Sequence, residues 1–243
     1  MCPRGTAASR VTGLVLPWLV LLLALAQPWR ATQAQAAPAL TPESPPMTTP
    51  PANPVEAALE GFRNVTDYRV TIRSSHDGSS EVLRYFYKKP GFVRMEFIRP
   101  HNGAVLLYDP ASKMVRLKPL GFFKSLTLTF SPDNSLVKSA QGHSVDESDI
   151  GNLLEGAKSL QEHGRTTVLG EEKVGERMTL AVAVEGGKNF ALGRTHRFRL
   201  NLDEASWLPL KVKAYDEAGN VIEVVHMDDL ETNVHLDDSL FRP

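Results

Sequence analysis

From Tyr68 to Met227 the chain divides into strand-length segments in which apolar and polar residues alternate, and this period of two constrains the fold more than any other feature. Tyr68, Val70 and Ile72 alternate with Arg69, Thr71 and Arg73, and His76-Asp77-Gly78 then makes a hairpin turn ahead of Val82 to Lys88. Pro90-Gly91, Asn102-Gly103 and Asp109-Pro110 separate the next runs, FVRMEFI, AVLLY, KMVRLKP and SLTLTF. Further on come RTTVLGEE, MTLAVAV, HRFRLNL, LPLKVKAY and VIEVVHM, with turns at Asp203-Glu204 and at Glu217-Ala218-Gly219-Asn220. The pattern predicts about eleven antiparallel strands with one dry face and one wet face. Met178, Leu180, Val182 and Val184 share one face, and His196, Phe198, Leu200 and Leu202 oppose Arg197, Arg199 and Asn201.

Only two segments keep helical spacing. Asn53-Pro54-Val55-Glu56 supplies an N-cap, a proline at the first helical position and a glutamate placed for a capping box, ahead of Ala58, Leu59 and Phe62. Between Ser144 and Gln161, Ile150, Leu153, Leu154, Ala157 and Leu160 form an amphipathic face, with Ser144 and Glu147 as a second capping box. Many strands with one dry face must close on themselves or be covered by another layer, and two helices are the whole of that layer. The expected fold is therefore mainly β (α+β): an incomplete antiparallel barrel with the helices as plug or lid. Gly151 and Gly156 each cost the second helix about 1 kcal/mol relative to alanine, so a lid that moves and a fixed plug both remain open.

Ahead of the domain, Arg4 and Arg10 precede an apolar run from Val11 to Ala26, and Ala34-Gln35-Ala36 follows. This reads as a cleaved secretory signal peptide over 1–36, because the run is shorter than the roughly twenty residues of a spanning helix and contains Gly13 and Pro17. Residues 37–54 are rich in proline, serine and threonine and read as a disordered tether, leaving 55–243 as the folded domain. The single cysteine, Cys2, falls within the signal, so the mature chain has neither a disulfide nor a thiol nucleophile. Without Arg4, Arg10 and Arg30 the balance is 24 basic to 28 acidic residues with no long like-charge block, which argues against nucleic acid as a partner.

The seven histidines, His76, His101, His143, His163, His196, His226 and His235, show no metal-ligand spacing, and no nucleophile elbow, Walker loop or dinucleotide fingerprint is present. No cofactor and no enzymatic activity is expected. Asp146, Glu147 and Asp149 stand where a helix begins, where carboxylates favour the positive end of the dipole. Asp228-Asp229 and Asp237-Asp238 read as solvated ends of elements. Arg94 differs from these: it shares a strand face with Phe92, Glu96 and Ile98, so it is either a site residue, if it points inward, or half of a surface pair with Glu96.

The segments KKPGFVRMEF (88–97) and AVLLYDPASKMVRLKPL (104–120), with HLDDSLFRP (235–243), resemble the LolA/LolB-type lipoprotein carrier superfamily over residues 55–243. The resemblance implies a half-open barrel that holds the acyl chain of a lipoprotein or lipid in an apolar cavity while it crosses the periplasm, with the helices as a lid; a monomer is expected. It further implies a role for Arg94 in lid closure and cargo transfer, although Met95 stands where the family often has tryptophan. The residues expected to bind ligand are Tyr68, Val70, Ile72, Tyr85, Tyr87, Val93, Arg94, Met95, Phe97, Leu180, Val182, Phe198 and Leu200. Ile150, Leu153, Leu154 and Ala157 form the lid. The contrasting expectation is an envelope sensor or protein-interaction module, contacting envelope membrane proteins, that uses the same barrel without transporting cargo.

Overall fold

The computed structural model describes residues 50–119, 126–139 and 142–242. The proposed signal peptide and most of the spacer lie outside the described residues, as does the start of the SLTLTF segment at Ser125.

Helix α1 (Pro54–Arg63) begins as its sequence dictates, with the Asn53 side chain accepting hydrogen bonds from the Val55 and Glu56 backbone N–H groups. The anticipated capping box does not form, because Glu56 turns to Arg63 at 3.1 Å and Lys158 at 3.6 Å instead. Next comes a meander of β1 (Asp67–His76), β2 (Ser79–Lys88), β3 (Phe92–Arg99), β4 (Val105–Asp109), β5 (Met114–Lys118) and β6 (Leu128–Phe130). The β1–β2 turn is Asp77-Gly78 with φ of 44° and 76°, positive at both residues as a two-residue hairpin of matching twist requires. A 3-10 turn at Val145–Glu147 leads to helix α2 (Ile150–Glu162). The second meander is β7 (Gly164–Val174), β8 (Arg177–Gly186), β9 (Arg197–Asp203), β10 (Pro209–Tyr215) and β11 (Val221–Thr232).

All eleven strands form one antiparallel sheet in the order β6-β5-β4-β3-β2-β1-β11-β10-β9-β8-β7. Pairing of β1 with β11 joins the two meanders, while β6 and β7 remain as separate edges, so the barrel is not closed. The chain between these edges carries α2 onto the inner face. That face holds one hydrophobic cluster, in which Val55, Ala58 and Leu59 of α1 and Ile150, Leu154, Ala157 and Leu160 of α2 meet Tyr68, Tyr85, Val93, Val182 and Leu200 of the sheet. The mainly β architecture with two covering helices is the one the alternation predicts.

The start of α2 requires a correction. Its N-cap is Asp149, whose carboxylate accepts from the Gly151 and Asn152 N–H groups, whereas Ser144 makes no cap bond and hydrogen-bonds Asp146. The buried Val145 turns the chain onto the core before the helix starts, so the cap falls five residues later than the sequence spacing suggests.

Candidate functional site

Strand pairing places each expected ligand-binding residue on a definite face. Tyr68, Val70 and Ile72 on β1 stand opposite Tyr87, Tyr85 and Leu83 on β2, and these in turn oppose Val93, Met95 and Phe97 on β3. On the other half of the sheet Leu180 and Val182 of β8 join Leu200 of β9, and Phe198 lies two residues along. Apart from Arg94, the expected binding residues therefore share the inner face, as do the lid residues that meet them.

Exposure varies along that face. Tyr68, Val70, Tyr85, Tyr87, Val93, Leu180, Val182 and Leu200 are buried beneath the helices, while Ile72, Met95, Phe97 and Phe198 are only partly covered, as are Val225 and Met227 of β11. Ile72 pairs with Met227 and Leu83 with Phe97, so all of these partly covered side chains except Phe198 form a band at the ends of β1–β3 and β11 farther from α1. Beyond the band stand polar groups, with Ser74 Oγ donating to Glu223 at 2.6 Å and Glu81 across the strand from Ser74. Burial pushes the Glu81 carboxyl up, His101 and His76 pull it down, and Glu223 adds to the rise.

Under the start of α2 the tyrosines form a stack. Tyr68 lies 5.8 Å from Tyr85 and 5.1 Å from Tyr87, with rings inclined by 14° and 23°. The Tyr68 hydroxyl accepts from Ile150 N–H at 3.2 Å, and the Tyr85 hydroxyl shares a hydrogen bond with Ser148 Oγ at 3.1 Å. Burial raises the phenols, that of Tyr87 to about 12, so all three remain neutral hydrogen-bonding groups. Two hydroxyls thus tie the start of α2 to an otherwise apolar floor.

Beside this stack a cleft of about 350 Å³ opens among α1, α2 and the β2–β3 and β4–β5 turns. Its walls include Phe62, Tyr87, Tyr108, Pro90 and Pro110, and Asp146, Asp149 and Glu155 stand at its α2 side. The volume is at the lower end of the roughly 300–1,000 Å³ of small-molecule sites. The sequence pattern places Phe62 on the apolar face of α1 and Tyr108 at the end of the AVLLY strand, but it does not show that they meet Tyr87 and Pro110 in one cleft, because that meeting is made by tertiary packing.

The two glycines of α2 serve contacts. A Cβ at Gly151 would lie 2.4 Å from Phe62 of α1, and one at Gly156 would lie 3.2 Å from Leu192. Close approach of neighbouring elements therefore accounts for residues that the sequence alone shows only as weakening the helix.

Arg94 faces away from this region. It lies on the outer face of β3, with Nε 2.8 Å from Glu96 Oε1 and Nη1 donating to the Leu240 carbonyl at 2.9 Å. Leu240 belongs to the 3-10 helix Asp238–Phe241, whose Phe241 ring packs 5.8 Å from Phe92 beside the buried, outward-facing Leu107. The expectation that Arg94 lines the cavity is thereby corrected: Val93 and Met95 take the inner side of β3, and strand alternation sends Arg94 outward. Of the acidic pairs, Asp228 pairs with Arg73, Asp237 caps the 3-10 helix and Asp238 meets Lys88 at 2.6 Å. Among the described residues no group of three or more His, Cys, Asp or Glu is arranged to hold a metal ion.

The chain is thus an incomplete antiparallel barrel with an apolar inner face under a helix tied to it by two tyrosine hydroxyls. The chain belongs to the family described as protein of unknown function DUF1571, whose model matches residues 65–243. No curated protein matches it in sequence. Among solved structures it is similar to lipoprotein LppX of Mycobacterium tuberculosis, at 11% identity and a TM-score of 0.47, over 76% of this chain and 96% of that one. It is similar to the LolA superfamily protein NE2245 of Nitrosomonas europaea, at 14% identity and a TM-score of 0.35, over 78% and 96%. It is also similar to the Pseudomonas aeruginosa MucA/MucB complex, at 18% identity and a TM-score of 0.45, over 78% of this chain and 59% of the matched chain.

Proposed function

We propose that this protein is a periplasmic binding protein that shields an acyl chain of a lipoprotein or lipid on the inner face of the sheet. The observation that carries this reading is the graded inner face, sealed beneath α1 and α2 and only partly covered in the band of Ile72, Met95, Phe97, Val225 and Met227. An acyl chain entering along the band meets aliphatic and aromatic side chains, and each methylene withdrawn from water contributes about 0.8 kcal/mol. A longer chain needs room now occupied by α2, so full loading requires the helix to move outward against the Tyr68 and Tyr85 contacts. This gives release a handle, because restoring those contacts closes the site.

The second reading, a sensor or protein-interaction module, is favoured by a different observation: Ile150, Leu154, Ala157 and Leu160 already fill the inner face as a plug. Native mass spectrometry of residues 37–243 purified from a periplasm, with solvent extraction of whatever is bound, separates the two. A stoichiometric lipid or acylated peptide supports acyl-chain binding. An empty protein that also fails to take up a fluorescent acyl probe overturns it in favour of the interaction module.

A further inference from the structure

The outer face of β9, β10 and β11 gathers positive charge that the inner-face reading does not use. Strand register sets Lys213 directly opposite Arg199, Lys211 opposite His226, and His226 opposite Arg73 on β1. Residues so paired have Cβ atoms about 4.5–5.5 Å apart; Lys213 and Arg199 are like charges in that position, which destabilises a sheet, and the His226 imidazole stands between Lys211 and Arg73. Two carboxylates offset part of the charge, with Glu172 bonded to Arg199 and Asp228 bonded to Arg73. Among the described residues Lys211 and Lys213 make no ion pair. Both are half-buried on the sheet, flanked by Asn201 and by Tyr215, over whose ring the Arg197 guanidinium sits at 4.2 Å.

Two titrations register the same crowding. The Lys211 ammonium is pulled down by burial and then by Lys213 and Arg199, with Glu172 opposing. The His226 imidazole is pulled down by burial and then by Lys211, Arg73 and Lys213, with Asp228 opposing. A free surface that keeps such a cluster carries an electrostatic cost that a bound anion removes.

We propose that this outer face is a docking surface for an acidic, extended segment of a partner protein, read by Lys211, Lys213, Arg199, Arg73 and His226. The extent of the cluster selects that occupant. Arg199 on β9, Lys211 and Lys213 on β10 and Arg73 on β1 carry the charge, and the His226 imidazole on β11 between them adds a polar group, so the cluster spans four adjacent strands about 4.8 Å apart, more than one phosphate group can contact. Lys211, Lys213, Arg199 and His226 are half-buried between neighbouring side chains and Arg73 alone is exposed, which suits carboxylates that reach into the sheet better than the plane of a membrane. The face lies on the other side of the sheet from the partly covered band, so a partner docked here leaves acyl-chain access open, and the proposal does not depend on the acyl-chain reading.

The test measures binding of a fluorescein-labelled deca-glutamate peptide to residues 37–243 by anisotropy at several salt concentrations. Salt-weakened binding, lowered at least about tenfold by Lys211→Glu with Lys213→Glu but unchanged by Lys188→Glu, is the expected result. Lys211→Gln with Lys213→Gln gives a second, uncharged variant, expected to lose binding while its melting temperature holds or rises because repulsion is relieved. Binding that survives both double variants overturns the assignment, as does a melting temperature that falls in the glutamine variant together with general loss of structure. Phosphatidylglycerol vesicles and inorganic phosphate serve as rival probes. Retention on vesicles without peptide binding makes the face a membrane contact, and response to phosphate alone makes it a small-anion site; either outcome overturns the peptide proposal.

Discussion

Val93 and Arg94 are neighbours on β3, yet one is sealed in the core and the other holds the 3-10 helix Asp238–Phe241 against the opposite side of the sheet. Arg94→Leu leaves the Leu240 carbonyl and the Glu96 carboxylate without their shared partner. Charge-assisted hydrogen bonds of this kind contribute about 1.5–3 kcal/mol, so a loss of roughly that size is expected in urea unfolding, with faster hydrogen exchange over residues 238–242 and unaltered acyl-probe binding. Normal stability with altered probe release would restore Arg94 to the transfer machinery. Glu81 gives a pH-dependent counterpart. Its carboxyl is raised in the folded state above the usual 4.5, first by burial. The protonated form is therefore the one the fold favours, and the stabilisation it brings is complete below the unfolded pKa and lost as pH rises through the folded one. Glu81→Gln should exceed the wild type in stability at pH 7, by under about 1 kcal/mol because solvent still reaches the site, and the gap should close on acidification below 4.5. A gap that persists in acid would assign the effect to packing.

At the scale of elements, α2 decides whether the inner face is open or filled. Its amphipathic spacing was evident, but its attachment depends on two hydroxyls that belong to strands far away in sequence. Tyr68→Phe removes the acceptor for Ile150 N–H and leaves a buried donor unpaired, at a cost of about 1–3 kcal/mol. If α2 moves as a lid, its amides should exchange faster in this variant while those of β8 and β9 keep their protection, and an acyl probe should bind more rapidly. Equal acceleration across all elements would show that α2 opens only with global unfolding, as a plug does. Helix α1 is fixed more firmly: a Cβ at Gly61 would lie 2.5 Å from the backbone oxygen of Ser206, so the helix rests directly on the β9–β10 turn.

At the scale of the whole molecule, two meanders share one sheet through β1 and β11, whose pairing brings Tyr68 beside Thr232 and Ile72 beside Met227. Neither half buries its inner face alone, because Leu180, Val182 and Leu200 are covered by α2, which precedes them, and β11 has β1 as its neighbour. An excised fragment of residues 164–232 is expected to lack dispersed amide signals by NMR, and a folded fragment would instead show two independent modules. Alternation of polar and apolar residues made the strands and the dry face readable from the sequence, and helical spacing made both helices readable, since each depends on contacts within a few residues. The same local logic located the turn at Asp77-Gly78 and the cap at Asn53, but placed the cap of α2 at Ser144, because the pull of Val145 into the core is a tertiary force. Alternation also puts Phe92, Arg94 and Glu96 on one face without saying which face is inside. That choice was made by the core that closes over Val93, and by the 3-10 helix arriving from the far end of the chain beside Phe92 and Leu107. The residues of the cleft and of the cationic outer face are likewise distant in sequence: register, set only when the sheet assembles, brings Lys211 opposite His226 and His226 opposite Arg73.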